Sequence, residues 1–291
     1  MESQMIGRGG AAGAAAPRVE SFAVPGARLY VETRGSGPLL VFIVGGNGDA
    51  AVFGPVAAAL AATFTVVTYD RRGFARSPLD GAFDAAARIA VDADDAARVI
   101  EHCAGGPAHV FGSSSGAIVG LDLVARHPDR VRTLVAHEPP MVTLLPDAAT
   151  WLALFDDVYA TYVAFGVPAA MAKFYAGVGL QGPREPSAGM ALPPPLAEML
   201  ARMPVNQAFW LEHELRSYPR FAPDLDALRA VAGQLVLAVG REPPEAPLAR
   251  PARLLAAALE VPVVEFAGGH VGYLTAPGEV AAQLAARLTD R

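Results

Sequence analysis

Cysteine is nearly absent from this chain. Its single copy, Cys103, excludes an internal disulfide and leaves a reducing compartment, the cytoplasm, as the default expectation. Cys103 ends a helical pattern and reads as a small hydrophobe. Charge is also sparse: 18% of residues are charged, and the net charge is −6. Basic residues are interspersed rather than clustered, so no phosphate-backbone track is offered and nucleic acid is not an expected partner. No apolar run reaches the ~20 residues of a membrane span, so no membrane association is expected. Residues 1–17 are rich in Gly and Ala and lack the basic and apolar blocks of a secretion signal, and they read as a disordered tail. No Cys, His, Asp and Glu grouping has metal-ligand spacing. Gly45-Gly46-Asn47-Gly48 lacks the spacing of a dinucleotide loop, so no cofactor is expected either.

Apolar residues, by contrast, make up 53% of 291, enough for the core of one large α/β domain. Residues 19–24 and 27–33 read as an antiparallel pair turning at Pro25-Gly26. Residues 38–44, 63–69, 108–111, 131–136, 234–239 and 261–266 are short apolar runs of the kind found in strands buried on both faces. Helical patterns lie between them at 50–62, from a cap at Asp84 to about Cys103, at 117–126 and at 277–288. Such alternation predicts a mostly parallel twisted sheet flanked by helices. The alternation stops between Pro139 and about Pro223. There the segments are helical and carry Trp151, Phe155, Tyr159, Tyr162, Phe165, Phe174, Tyr175, Phe209, Trp210 and Tyr218. This is expected to be a helical lid (139–223) inserted before the penultimate strand of a core formed by 18–138 and 224–291, with most of its aromatics forming its own core. The Pro/Gly-rich stretch 181–195 is expected to be a mobile loop.

One motif carries chemistry. Gly112-Ser113-Ser114-Ser115-Gly116 lies between a strand pattern and a helix pattern, the setting of a nucleophile elbow. The tight turn favours glycine at both flanks and holds the middle residue, Ser114, in a strained conformation. The N–H groups that open the following helix face the same point and favour negative charge there.

With Val41 to Gly48, Tyr69-Asp70-Arg71-Arg72-Gly73-Phe74-Ala75-Arg76-Ser77, Ala125 to Val131 and Gly268-Gly269-His270-Val271-Gly272-Tyr273, the elbow resembles the α/β-hydrolase superfamily, from about Val19 to the C-terminus. Ala75 stands where the family often has Gly. The resemblance implies the α/β-hydrolase fold, with Ser114 as nucleophile and His270 as general base. It also implies an oxyanion hole from the N–H groups of Ser115 and Gly46, with Asn47 the neighbouring alternative. The triad acid stays open. The family's usual position, three residues past Gly240, is Pro243, which leaves Glu242 one residue early. Glu138, just past the strand 131–136 and fixed in direction by Pro139-Pro140, is the preferred candidate, as in some family members. Asp70, Arg71 and Arg72 read as structural ties of their turn. Among the other histidines, His109 sits in a strand and His137 adjoins a strand end. His102 and His127 look superficial, and His213 belongs to the insertion. The implied activity is a serine hydrolase cleaving an ester-like bond of a small-to-medium apolar substrate. A non-hydrolytic biosynthetic enzyme and a ligand-binding pseudoenzyme on the same fold are the alternatives.

Overall fold

The computed structural model describes residues 16–104, 106–182, 191–241 and 247–289. Residues 1–15 of the expected tail, 183–190 of the expected loop, and Glu242 lie outside the described residues.

The chain opens with β1 (Arg18–Val24) and β2 (Ala27–Arg34), antiparallel about Pro25-Gly26. There follow β3 (Leu39–Ile43), α1 (Gly54–Leu60), β4 (Thr65–Tyr69) and α2 (Arg88–Ala104). Next come β5 (Ala108–Ser113), α3 (Ser115–Arg126) and β6 (Val131–His137). Three helices follow, with no strand between them among the described residues: α4 (Ala148–Phe165), α5 (Val167–Val178) and α6 (Pro194–His213). The chain returns through α7 (Leu225–Ala230) to β7 (Leu235–Gly240), α8 (Arg250–Leu259) and β8 (Val263–Phe266). It ends with α9 (Gly272–Thr275) and α10 (Pro277–Thr289). The eight strands form one sheet in the order β1-β2-β4-β3-β5-β6-β7-β8. All pairings from β4 to β8 are parallel; β1 with β2 and β2 with β4 are antiparallel.

Strand sequence explains strand position. β3, β5 and β7 are buried at every residue and occupy interior positions of the sheet, each paired on both sides. β1 alternates in exposure and takes the edge. Side chains alternate across each strand, so Val41 and Ile43 of β3 enter the core on one face and Leu40 and Phe42 the core on the other.

Three details differ from the sequence reading. The expected helix at 50–62 splits into a 3₁₀ turn (Ala50–Phe53) and α1, because Pro55 is suited to a helix start rather than an interior. α2 begins at Arg88, not after Asp84; Asp84 instead accepts the Ala86 N–H at 2.8 Å and closes a separate turn. Pro194 and Pro195 of the expected loop form the first turn of α6, where a missing N–H costs nothing. Among the described residues, no helix is long and apolar enough to cross a membrane.

Candidate active site

β5 delivers Ser114 to the C-terminal edge of the sheet. Its backbone adopts φ 56, ψ −126, outside the regions open to most side chains. The flanking glycines are required by space. A Cβ on Gly112 would lie 2.4 Å from the carbonyl oxygen of Gly116, and one on Gly116 would lie 2.1 Å from that of Ile43. The Ser114 N–H donates to the carbonyl of His137 at 2.9 Å, which ties the turn to the end of β6. Ser115 is the first residue of α3, so no preceding helical carbonyl takes its N–H.

Glu138 follows β6 directly and is also strained, at φ 47. Its N–H donates to the carbonyl of Ala238 at 2.9 Å. Its carboxylate is fully buried and doubly bound: Oε1 accepts the Gly240 N–H at 2.7 Å, and Oε2 accepts from His270 Nδ1 at 2.6 Å. Burial alone would push the carboxyl pKa up. The hydrogen bond and charge of His270, the nearby His137 and the Gly240 N–H outweigh it and hold Glu138 at about 2. Glu138 and His270 thus form a pair across 132 residues of chain. His137 is buried behind them, with its ring centroid 6.4 Å from that of His270, and burial lowers its pKa to about 4. The buried Tyr273, raised to about 12 by burial, hydrogen-bonds Ser113 beside the elbow.

Ser114, Ser115, Gly46, Asn47 and His270 line one cavity of about 370 Å³ between the sheet edge and α4–α6. Ser114 makes no side-chain hydrogen bond to His270 among the described residues; such bonds often tighten only when substrate is present. Gly45 lies against the elbow, since a Cβ there would meet Ser114 Cβ at 2.9 Å. Gly46 lies against the indole of Trp210, whose Nε1 would be 2.4 Å from an added Cβ. Five of the eleven aromatic residues of the insertion, Phe155, Phe174, Tyr175, Trp210 and Tyr218, line the cavity, and most of the eleven pack in the insertion's own apolar cluster. No Lys or Arg contributes to the cavity wall among the described residues. The one buried acid in the wall, Glu214, is already paired with Arg71 at 2.7 Å and Arg88 at 3.1 Å. Sequence reasoning missed Glu214, because nothing local distinguishes it from a surface carboxylate.

The remaining residues singled out in the sequence are placed away from the reacting groups. Asp70 accepts from the Ala50 N–H at 2.8 Å and pairs with Arg76 at 2.7 Å. Arg72 pairs with Asp95 at 2.7 Å. Ala75, in place of Gly, occupies φ 46 and donates its N–H to Asn206 at 2.9 Å. His213 packs its ring on Phe209 and Phe83. His102 stacks on Phe22, and His127 meets Asp94 at 2.8 Å. His109 is buried in β5.

Comparison with known proteins agrees with this architecture. Residues 40–283 match the model of the alpha/beta hydrolase family. The chain is 35% identical over 256 residues to the uncharacterized hydrolase YraK of Bacillus subtilis strain 168, covering 86% of this chain and 88% of that one. It is 36% identical over 108 residues to the 2-(acetamidomethylene)succinate hydrolase of Mesorhizobium japonicum, covering 37% of this chain and 38% of that one. The crystal structure of an alpha/beta hydrolase from Sphaerobacter thermophilus superposes with a TM-score of 0.65 at 25% identity, over 92% of this chain and 99% of that one. A mostly parallel sheet with a strained serine at one strand end, a histidine–glutamate pair at two others, and a match spanning most of the sequence make this chain a hydrolase of the alpha/beta hydrolase family.

Proposed function

We propose that this hydrolase is a serine hydrolase that cleaves an ester-like bond of a small-to-medium apolar substrate. Ser114 Oγ attacks the carbonyl carbon while His270 takes its proton. Glu138 holds the ring through Nδ1 and balances the charge that forms on it. The Gly46 and Ser115 N–H groups receive the oxyanion. Collapse expels the alcohol, which leaves with the proton carried by His270, and an acyl group remains on Ser114. Water, deprotonated by His270, then attacks the acyl carbon, and the carboxylic acid leaves as Ser114 regains its proton.

The observation that carries this reading is the 2.6 Å Glu138–His270 pair, opening onto the same cavity as a serine at φ 56. The apolar preference is supported by the wall. Aromatic side chains, Met171, Met199 and Met203 provide adaptable hydrophobic contact. Among the described residues a substrate carboxylate would find no Lys or Arg in that wall, and it would lose its hydration uncompensated. The insertion acts as a lid that keeps water from the oxyanion.

A fluorophosphonate probe tests the assignment. Labelling mapped to Ser114 by mass spectrometry, and lost in Ser114→Ala, is the expected result. Turnover of substrate by folded Ser114→Ala at the wild-type rate would refute it.

A further inference from the structure

Arg71 was read from the sequence as a structural tie. Its guanidinium is fully buried, and each nitrogen has an acceptor. On the side edge, Nε donates to the carbonyl of Val44 at 2.9 Å and Nη2 to the carbonyl of Gly45 at 2.9 Å. On the end edge, Nη1 and Nη2 donate to the two carboxylate oxygens of Glu214 at 2.8 and 2.7 Å. Nη1 also meets Asp92 at 2.7 Å. Arg71 and Arg88 are thus balanced by Asp92 and Glu214, a neutral cluster out of contact with water.

In a trans peptide the C=O and the following N–H point in opposite directions. Two successive carbonyls, those of Val44 and Gly45, turn to the guanidinium, so the N–H groups of Gly45 and Gly46 turn away from it. Successive N–H groups on one side of the backbone form an anion-binding concavity. Among the described residues the Gly46 N–H has no acceptor, and Gly46 lines the cavity beside Ser114. Glu214, which loads the adjacent edge of the same guanidinium through Nη1 and Nη2, belongs to the insertion and is the C-cap residue of α6.

We propose that Glu214 is a positioning residue for the oxyanion hole. By clamping one edge of Arg71 it holds the other edge on the Val44 and Gly45 carbonyls, and so aims the Gly46 N–H at the oxyanion. The hole is complete only when the end of α6 is seated on the core. This rests on the serine-hydrolase reading and adds to it a link from the insertion to the reacting oxygen. Glu214→Gln keeps the shape, presents an amide NH₂ to a guanidinium, and leaves the cluster with an uncompensated buried positive charge.

The experiment compares wild type, Glu214→Gln, Glu214→Asp and Asp95→Asn for kcat, KM and inhibition by an alkylboronic acid. The boronate forms a tetrahedral adduct on the serine and places an oxygen where the oxyanion forms. Asp95→Asn breaks a neighbouring buried ion pair, with Arg72, that does not touch the Val44–Gly45 backbone. Loss of one oxyanion donor typically costs ~10²–10³ in kcat. We therefore expect Glu214→Gln to lower kcat by about 10²-fold with KM changed by less than about threefold. The boronate inhibition constant should rise in step with the fall in kcat/KM. Asp95→Asn should lose stability and keep both kcat and boronate affinity. Glu214→Asp, a carboxylate one methylene short, should fall between wild type and Glu214→Gln, and it decides the matter by the same parallel if Glu214→Gln does not fold. Wild-type kcat and boronate affinity in a folded Glu214 variant overturn the proposal, as does an equal loss in Asp95→Asn. A wild-type protein that neither turns over esters nor binds boronate overturns the serine-hydrolase reading itself.

Discussion

Replacing His137 by phenylalanine is expected to flatten the acid side of the stability profile. His137 ends β6 and is almost fully buried, packed near the rings of Phe111 and Phe266 at centroid distances of 6.1 and 6.4 Å. Its other polar neighbours are Ser113 Oγ at 3.4 Å, Glu138 and His270. Burial pushes its pKa down from 6.5 to about 4; the Glu138 carboxylate opposes this and His270 adds to it. The unfolded chain therefore binds a proton at His137 more readily than the folded one. The stability this residue contributes is complete above pH 6.5 and is lost as the pH falls toward about 4. The gap between the two values corresponds to about 3 kcal/mol, a large share of the 5–15 kcal/mol of an ordinary domain. Phenylalanine preserves the ring packing, removes the titration and gives up only the long contact to Ser113. Urea unfolding of both proteins at several pH values between about 7 and about 4 measures the effect. Wild type should lose about 3 kcal/mol more than His137→Phe over that range. His109, likewise lowered to about 4 by burial and Arg132, titrates in both proteins and cancels in the difference. Parallel profiles for the two proteins would refute the reasoning, since they would mean that His137 titrates alike folded and unfolded.

Glu138→Gln should reduce kcat on a reactive ester by ~10³–10⁴-fold, because the imidazolium loses its counter-charge and the ring its tautomer. Stability should change less, since a glutamine oxygen still accepts the Gly240 N–H; Glu242→Gln should leave turnover intact, and the reverse pattern in steady-state assays would transfer the role. Gly116→Ala sets a Cβ 2.1 Å from the Ile43 carbonyl oxygen. It should cost about 3 kcal/mol, seen as a drop in thermal midpoint, and an unchanged midpoint would show that the elbow can yield. Neutral alkyl or aryl esters should exceed isosteric esters bearing a free carboxylate by ~10² or more in kcat/KM, and equal values would contradict a wall without Lys or Arg among the described residues.

Much of this molecule is legible in local sequence. Interior strands are continuous apolar runs, so β3, β5 and β7 appear in the sequence as they lie in the sheet. The elbow is legible because its constraint is local: a five-residue turn tolerates no side chain at Gly112 or Gly116. Helix starts are less legible. Asp84 has the chemistry of a cap but spends it on Ala86, and the difference depends on where Arg88 and Asp92 can reach their buried partners.

What the sequence by itself determined is the class of architecture and the position of the strained serine, both set by periodicity and steric demand within a few residues. Only the tertiary structure decided which groups meet. Glu138 reaches His270 across 132 residues because β6 and β8 end at the same edge of the sheet, with the Gly240 N–H between them fixing the carboxylate. Arg71 and Glu214, separated by 143 residues, pair because α6 returns its end to the core. An isolated carboxylate in a sequence has no address. Burial makes an unpaired charge too costly to keep, and so the fold, by choosing which charges are buried together, assigns each its partner.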